Sequence, residues 1–196
     1  MAESLLRTFI SVSLPREIVN IKKMLQSTID SKGAEIKWVR DGNMHLSLKF
    51  IGHTPEASVD DLNNTLNIVT EEFSTISLSI VGSGCFPRPE RARTLWVGIA
   101  GEIDKLDDFV DAINGRLEPL GFPIQERKFI PHVTLAKIKY PQKHTPDVTQ
   151  FLNTTFAELP MKISRINLMS SQLFSKGAVY TIFCLLYTSP SPRDRG

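Results

Sequence analysis

Met44-His45-Leu46-Ser47-Leu48-Lys49-Phe50-Ile51 and Pro131-His132-Val133-Thr134-Leu135-Ala136 are the stretches whose reading decides the fold. Both carry His-x-Ser/Thr-x inside an apolar run with strand character. In a strand, residues i and i+2 share a face. Each copy therefore sets an imidazole beside a hydroxyl and turns aliphatic side chains the other way. In the first copy, strict alternation places His45, Ser47 and Lys49 on one face. Met44, Leu46, Leu48 and Phe50 then form the opposite face, which reads as core. In the second copy, His132 and Thr134 share a face while Val133 and Leu135 pack away. Pro131 is acceptable at the start of a strand. Two such faces turned toward each other supply two proton-transfer groups and two hydroxyl donors around one anionic centre. That is the equipment for opening a phosphodiester.

The rest of the chain bounds this reading. At 196 residues the length suits one domain, or two small lobes sharing a core. The formal charge of +2 gives no bulk basic field for gripping long nucleic acid, so an anionic substrate must be recognised locally. Cys85 and Cys184 make no disulfide framework and fit a reducing compartment. The N-terminus lacks an apolar signal core, and no run is long enough to span a membrane. A soluble cytoplasmic protein, monomeric and with no membrane partner, is the expectation.

The segment from Cys184 to Gly196 resembles a translated transposase adapter from DNA library preparation. The expected organisation is therefore a single bilobal domain over residues 1–183, followed by a non-native tail over 184–196.

Hydrophobic spacing predicts strands over Arg7–Leu14, Ile36–Val39, Met44–Ile51, Ile76–Val81, Leu95–Ile99, Phe129–Ile138, Ile163–Met169 and Ala178–Phe183. Helical stripes run through Ile18, Ile21, Leu25 and Ile29, and through Val59, Leu62, Leu66, Val69 and Phe73. A third passes from Ile103 to Leu120, and Thr145-Pro146 opens a short helix to about Leu152. Gly82-Ser83-Gly84 reads as a turn. Paired strands separated by single helices favour an α+β fold with largely antiparallel sheet. The duplicated phrase suggests two similar halves.

Other uses of these residues are weaker. A single strand histidine is usually a hydrogen-bonded structural group, but repetition with the same hydroxyl at i+2 points to function. Zinc takes three or four clustered ligands, and no two of the four histidines stand i, i+2 or i, i+4 apart. No metal and no cofactor are expected. His53 and His144 fall beside Thr-Pro pairs and read as solvated turn residues. No Gly-rich phosphate loop ending in Lys occurs, and Ser47 lacks the surroundings of a nucleophile elbow. One chemistry these residues fit is the opening of a strained 2',3'-cyclic phosphate on RNA. One imidazole serves as base on water and the other as acid on the departing ribose oxygen. Ser47 and Thr134 are placed to bind the non-bridging phosphate oxygens.

The chain resembles the two-histidine phosphoesterases, specifically the RNA 2',3'-cyclic phosphodiesterases also called 2'-5' RNA ligases. The resemblance is carried by Lys37-Trp38-Val39, by Asn43 to Gly52 and by Phe86-Pro87-Arg88-Pro89-Glu90-Arg91-Ala92-Arg93. It continues through Leu95-Trp96-Val97-Gly98, Pro131 to Lys137, Ser171-Gln172-Leu173, and Gly177 with Tyr180. It implies a bilobal α+β fold with two largely antiparallel sheets flanking a central cleft and helices outside. It implies His45 as general acid toward the 3' oxygen, His132 as general base on water, and a 2'-phosphate product. The partner it implies is RNA or an oligonucleotide ending in a 2',3'-cyclic phosphate. Ser47 stands where the family usually has threonine. Lys137 stands where it often has arginine, keeping the charge but losing the fork geometry. Phe50 is the family's candidate for base stacking. Strict alternation, however, turns both Phe50 and Lys137 away from the histidines. Arg88, Arg91 and Arg93 read as a solvated loop. The same residues leave two alternatives open: ATP-independent 2'-5' joining of RNA ends, or a non-catalytic module that binds RNA ends.

Overall fold

The computed structural model describes residues 5–188, apart from 32, 126, 127, 143, 175 and 176. The chain runs β1 (Leu5–Val12), α1 (Ile18–Gln26), β2 (Ile36–Trp38), β3 (Leu46–Pro55), α2 (Val59–Glu72), β4 (Ile76–Phe86) and β5 (Thr94–Gly101). It continues with α3 (Ile103–Leu117), β6 (His132–Ile138), α4 (Thr149–Asn153), β7 (Leu159–Ile163), β8 (Arg165–Phe174) and β9 (Gly177–Tyr187). The strands pair antiparallel in the order β7-β4-β5-β6-β3-β1-β8-β9, with β2 added beside β6.

The expected two sheets meet at one point. β3 and β6 share only the rung Leu46–Val133 and diverge on either side of it. The strand order reads outward from this rung as β3-β1-β8-β9 one way and β6-β5-β4-β7 the other. Four strands thus lie on each side of the rung, and the repeated sequence phrase lies where the two sides join.

The helices bury their apolar stripes against one side of this sheet. Leu62, Leu66 and Val69 of α2 join Leu106, Phe109, Val110, Ile113 and Leu117 of α3 in the main core. Phe73 and Phe109 meet ring to ring at 4.9 Å. Burying an aliphatic side chain stabilises by roughly 1.5–3 kcal/mol, so these stripes hold the helices to the sheet and leave its other side open.

Several expected boundaries move. Gly82-Ser83-Gly84 is not a turn: β4 runs straight through it, absorbing one extra residue between Val81 and Ser83, with Gly82 at φ 45°. Gly84 is needed because a Cβ there would lie 2.2 Å from the Trp96 indole, which crosses it. The strand expected over Ile163–Met169 is two, broken at Ser164. The strand expected from Phe129 starts at His132. The short helix starts at Thr149 rather than at Pro146, with Asp147 Oδ1 accepting from the Thr149 N–H at 2.8 Å. His53 lies in β3 opposite Arg7 and is exposed, so it is a strand residue and not a turn residue. At the C-terminal end, Cys184–Tyr187 continue β9 along β8, and Leu186 is buried. Residues 189–196 of the expected tail lie outside the described residues.

Candidate active site

The Leu46–Val133 rung fixes the arrangement of the repeated phrase. Facing residues in an antiparallel pair point the same way, and both of these are fully buried in the core. Their neighbours His45, Ser47, His132 and Thr134 must therefore all turn to the open side. The antiparallel register sets His45 beside Thr134 and Ser47 beside His132. The two imidazoles and two hydroxyls anticipated from sequence are brought together on one face, each partly buried.

The histidines are held alike. His45 Nδ1 donates to the Asn43 carbonyl at 2.8 Å, and His132 Nδ1 donates to the Ile130 carbonyl at 2.6 Å. A carbonyl can only accept, so each Nδ1 carries hydrogen and each Nε2 is left facing away from that bond, available to a substrate. Each ring also has one edge-on aromatic neighbour. Tyr180 meets His45 at 5.4 Å and 85°, and Phe86 meets His132 at 5.1 Å and 86°. A tilted ring completes each setting: Phe9 at 5.0 Å from His45, Trp96 at 6.1 Å from His132. Burial holds the His45 imidazole below its ordinary pKa, and the Asn43 carbonyl offsets this only in part.

The phrase does not alternate strictly beyond its fourth residue. Against β1, Ser11 pairs Ser47 but Ile10 pairs Lys49, so β3 holds an extra residue at Leu48. Against β5, Trp96 pairs Thr134 but Leu95 pairs Ala136, so β6 holds an extra residue at Leu135. A bulge of this kind switches which side the following residues face. Leu48 and Lys49 both turn inward, as do Leu135 and Ala136, and Phe50 and Lys137 turn outward. The expected placement of Lys49 beside His45 is overturned: it is 2% exposed, on the core side. The expected burial of Phe50 is overturned too: it is 61% exposed and 6.1 Å from the Phe9 ring. The same geometry returns Lys137 to the side of His132 and Thr134, because Thr94 and Trp96 alternate along unbroken β5 and face Lys137 and Thr134 respectively.

Lys49, which the sequence placed on the wrong face, and Lys22, which it did not single out, brace this framework. Lys49 Nζ donates to Asn114 Oδ1 of α3 at 2.7 Å and to the Pro123 carbonyl at 2.8 Å. Its burial pushes the ammonium pKa down. Lys22 of α1 donates to the Val39 carbonyl at 2.7 Å and pairs with Asp41, fixing the segment that leads into His45. The Lys22 hydrogen bond lowers the Asp41 pKa. Phe9, Trp96 and Tyr180 also gain a place here that periodicity could not give them. Of the arginines, Arg88 faces Glu90 at 3.8 Å on the surface, and Arg93 lies 3.1 Å over the Tyr140 ring. Among the described residues, no three His, Cys, Asp or Glu side chains converge as a metal site, and no helix is long and apolar enough to cross a membrane. A cavity of about 380 Å³ between Gly33–Glu35 and Lys139–Gln142 includes neither histidine.

Known proteins share this architecture and part of the sequence. Residues 23–173 match the family model of the 2'-5' RNA ligase superfamily. A protein of Aeropyrum pernix named RNA 2',3'-cyclic phosphodiesterase is 32% identical over 158 residues, covering 80% of this chain and 88% of that one. A protein of the same name from Methanothermobacter thermautotrophicus is 27% identical over 178 residues, covering 89% and 95%. Among solved structures, Thermus thermophilus TT0787 superposes with a TM-score of 0.77 at 24% identity, covering 93% of this chain and 97% of that one. Escherichia coli LigT complexed with 3'-AMP does so at 0.71 and 18% identity, covering 95% and 99%. The family match takes in both histidine phrases and the strands that bring them together, and on that ground this chain belongs to the 2'-5' RNA ligase superfamily.

Proposed function

We propose that this protein hydrolyses 2',3'-cyclic phosphate ends of RNA to 2'-phosphomonoesters, with two imidazoles and no metal or cofactor. The observation that carries the reading is the junction of β3 and β6, where His45, Ser47, His132 and Thr134 share one open face. The names of the relatives, RNA 2',3'-cyclic phosphodiesterase, support the same substrate.

In this mechanism Ser47 and Thr134 donate to the non-bridging oxygens and stabilise the charge that grows there. His132 Nε2 takes a proton from water as the oxygen attacks phosphorus in line with O3'. The P–O3' bond breaks, and His45 Nε2–H protonates the departing oxygen. The product keeps the phosphate on O2'.

A near-symmetric pair of histidines does not by itself say which is the acid. The side chains around them support one order. Phe50 and Tyr180, packed on the buried Phe9, lie on the His45 side and offer apolar surface suited to a nucleobase. Lys137 occupies the equivalent place beside His132. The nucleoside carries the leaving oxygen, which supports His45 as the acid on the leaving side and His132 as the base on the water side.

The test is an assay in EDTA on an oligonucleotide with a 2',3'-cyclic end. The expected product is a 2'-phosphate. A 3'-phosphate, or no turnover without added metal, would overturn the proposal. Adding a 5'-hydroxyl oligonucleotide to the same assay reports end joining directly.

The pH dependence has a definite sign. Burial lowers the His45 pKa, so its acid form is lost at lower pH than an ordinary imidazole's. A bound phosphate favours the imidazolium and raises that pKa. The profile of kcat/KM reports the free enzyme and that of kcat the complex. The alkaline limb of kcat/KM should therefore fall at lower pH than the alkaline limb of kcat. Coincident or reversed limbs would remove His45 from the acid role.

A further inference from the structure

β2 joins the sheet where β3 leaves β6, and it brings one rung of unusual composition. Lys37 lies directly opposite Lys137, and Lys137 lies directly opposite Thr94 of β5. All three share the side of Thr134 and His132, since facing residues point the same way and Thr94 follows the alternation of Trp96. Phe86, whose ring meets His132, is opposite Thr94 on β4. The rung thus abuts the water side of the site.

Like charges placed directly across a strand pair are destabilising. The next rung on the same face shows the ordinary remedy: Glu35 pairs with Lys139 in an ion pair. Lys37 and Lys137 are both exposed, and neither belongs to an ion pair among the described residues. Two ammonium groups and a hydroxyl form a rung of hydrogen-bond donors with no carboxylate. Such a rung is matched by an anion with several oxygens.

We propose that Lys37, Lys137 and Thr94 form a second phosphate subsite, beside the one that holds the cyclic phosphate, and that it takes a backbone phosphodiester of the RNA. The inference rests on the cyclic phosphodiesterase reading and deepens it. The preferred substrate is an oligonucleotide end rather than a mononucleoside 2',3'-cyclic phosphate, and Lys37 is the residue that makes the distinction. Lys37 touches no reacting atom, so it acts on selection rather than on the chemical step.

The experiment compares kcat/KM for adenosine 2',3'-cyclic phosphate and for a tetranucleotide ending in the same cyclic group, in wild type and Lys37→Ala. The oligonucleotide-to-mononucleoside ratio should drop about tenfold in the variant, with the change in KM. Lys37→Arg should recover most of it, and Lys37→Ala should make the salt dependence of oligonucleotide binding shallower by about one unit of log–log slope. A ratio within twofold of wild type overturns the subsite. Fluorescence anisotropy of a labelled tetranucleotide bearing a 2'-phosphate gives a readout independent of turnover. If wild type turns over neither substrate, the hydrolase reading fails. Anisotropy then still judges the subsite, which fails if Lys37→Ala binds as tightly as wild type. A labelled 5'-hydroxyl strand without the phosphorylated end separates the two sources of phosphate. Lys37-dependent binding of that strand alone would assign the rung to a second RNA and overturn the same-strand proposal.

Discussion

His132→Ala and His45→Ala should each reduce turnover of a 2',3'-cyclic end by about 10³-fold or more, while the protein stays folded. General acid–base groups contribute on the order of 10²–10⁴-fold each, and groups that act as a unit are far from additive. The double variant should therefore lose little more than either single one. Both rings lie on the open side of the sheet, partly buried, and the core behind them is made by Leu46 and Val133. Removing an imidazole empties a place in the cleft without opening the interior. Circular dichroism and thermal unfolding should stay close to wild type as activity disappears. Retention of a tenth of the activity by either variant would end the two-histidine mechanism.

The second large effect is on stability. Lys49→Ala should destabilise the fold by about 3 kcal/mol, since it removes a buried side chain the length of methionine. It also strips Asn114 Oδ1 and the Pro123 carbonyl of the donor that the structure gives them. Lys49→Met keeps the stem and loses only the ammonium, so the unpaired acceptors alone should cost about 1–3 kcal/mol. At roughly 2–4 °C per kcal/mol for a chain of this size, the alanine variant should melt about 6–12 °C lower. Chemical denaturation of the two variants separates the packing loss from the hydrogen-bond loss. A Lys49→Ala protein within about 0.5 kcal/mol of wild type, the range of ordinary surface substitutions, would show that the lysine does not brace β3 against α3.

Much of this was legible in the sequence. The repeated His-x-Ser/Thr phrase announced two related strands with polar and apolar sides, and the helical stripes announced which faces would pack. Period-two reasoning worked up to Ser47 and Thr134 because the strands are regular there. It failed at Lys49, Phe50 and Lys137 because each strand takes in one extra residue against its outer neighbour. That irregularity is set by pairing with β1 and β5, a long-range property that a single strand's hydrophobic pattern does not encode. The second copy carried a partial signal, since Leu135 and Ala136 are adjacent and both small or apolar ahead of a lysine. The first copy concealed it, since a lysine at the equivalent inward place argues for exposure until its partners on α3 are known. Glycine misled at Gly82-Ser83-Gly84 for a related reason. Its turn signal was met by a bulge and by the close passage of Trp96 instead.

The kink has one more implication. Counting from each histidine as the first letter, the working word is six letters long; its inward fifth letter is Lys49 in one copy and Ala136 in the other, and its outward last letter is an arene at Phe50 and a cation at Lys137. Exchanging that letter leaves the proton carriers undisturbed, because the doubled inward residues anchor the strand before it is reached. Under the proposed function, a change at that one position would alter what is gripped while the proposed bond-breaking apparatus remains as it was.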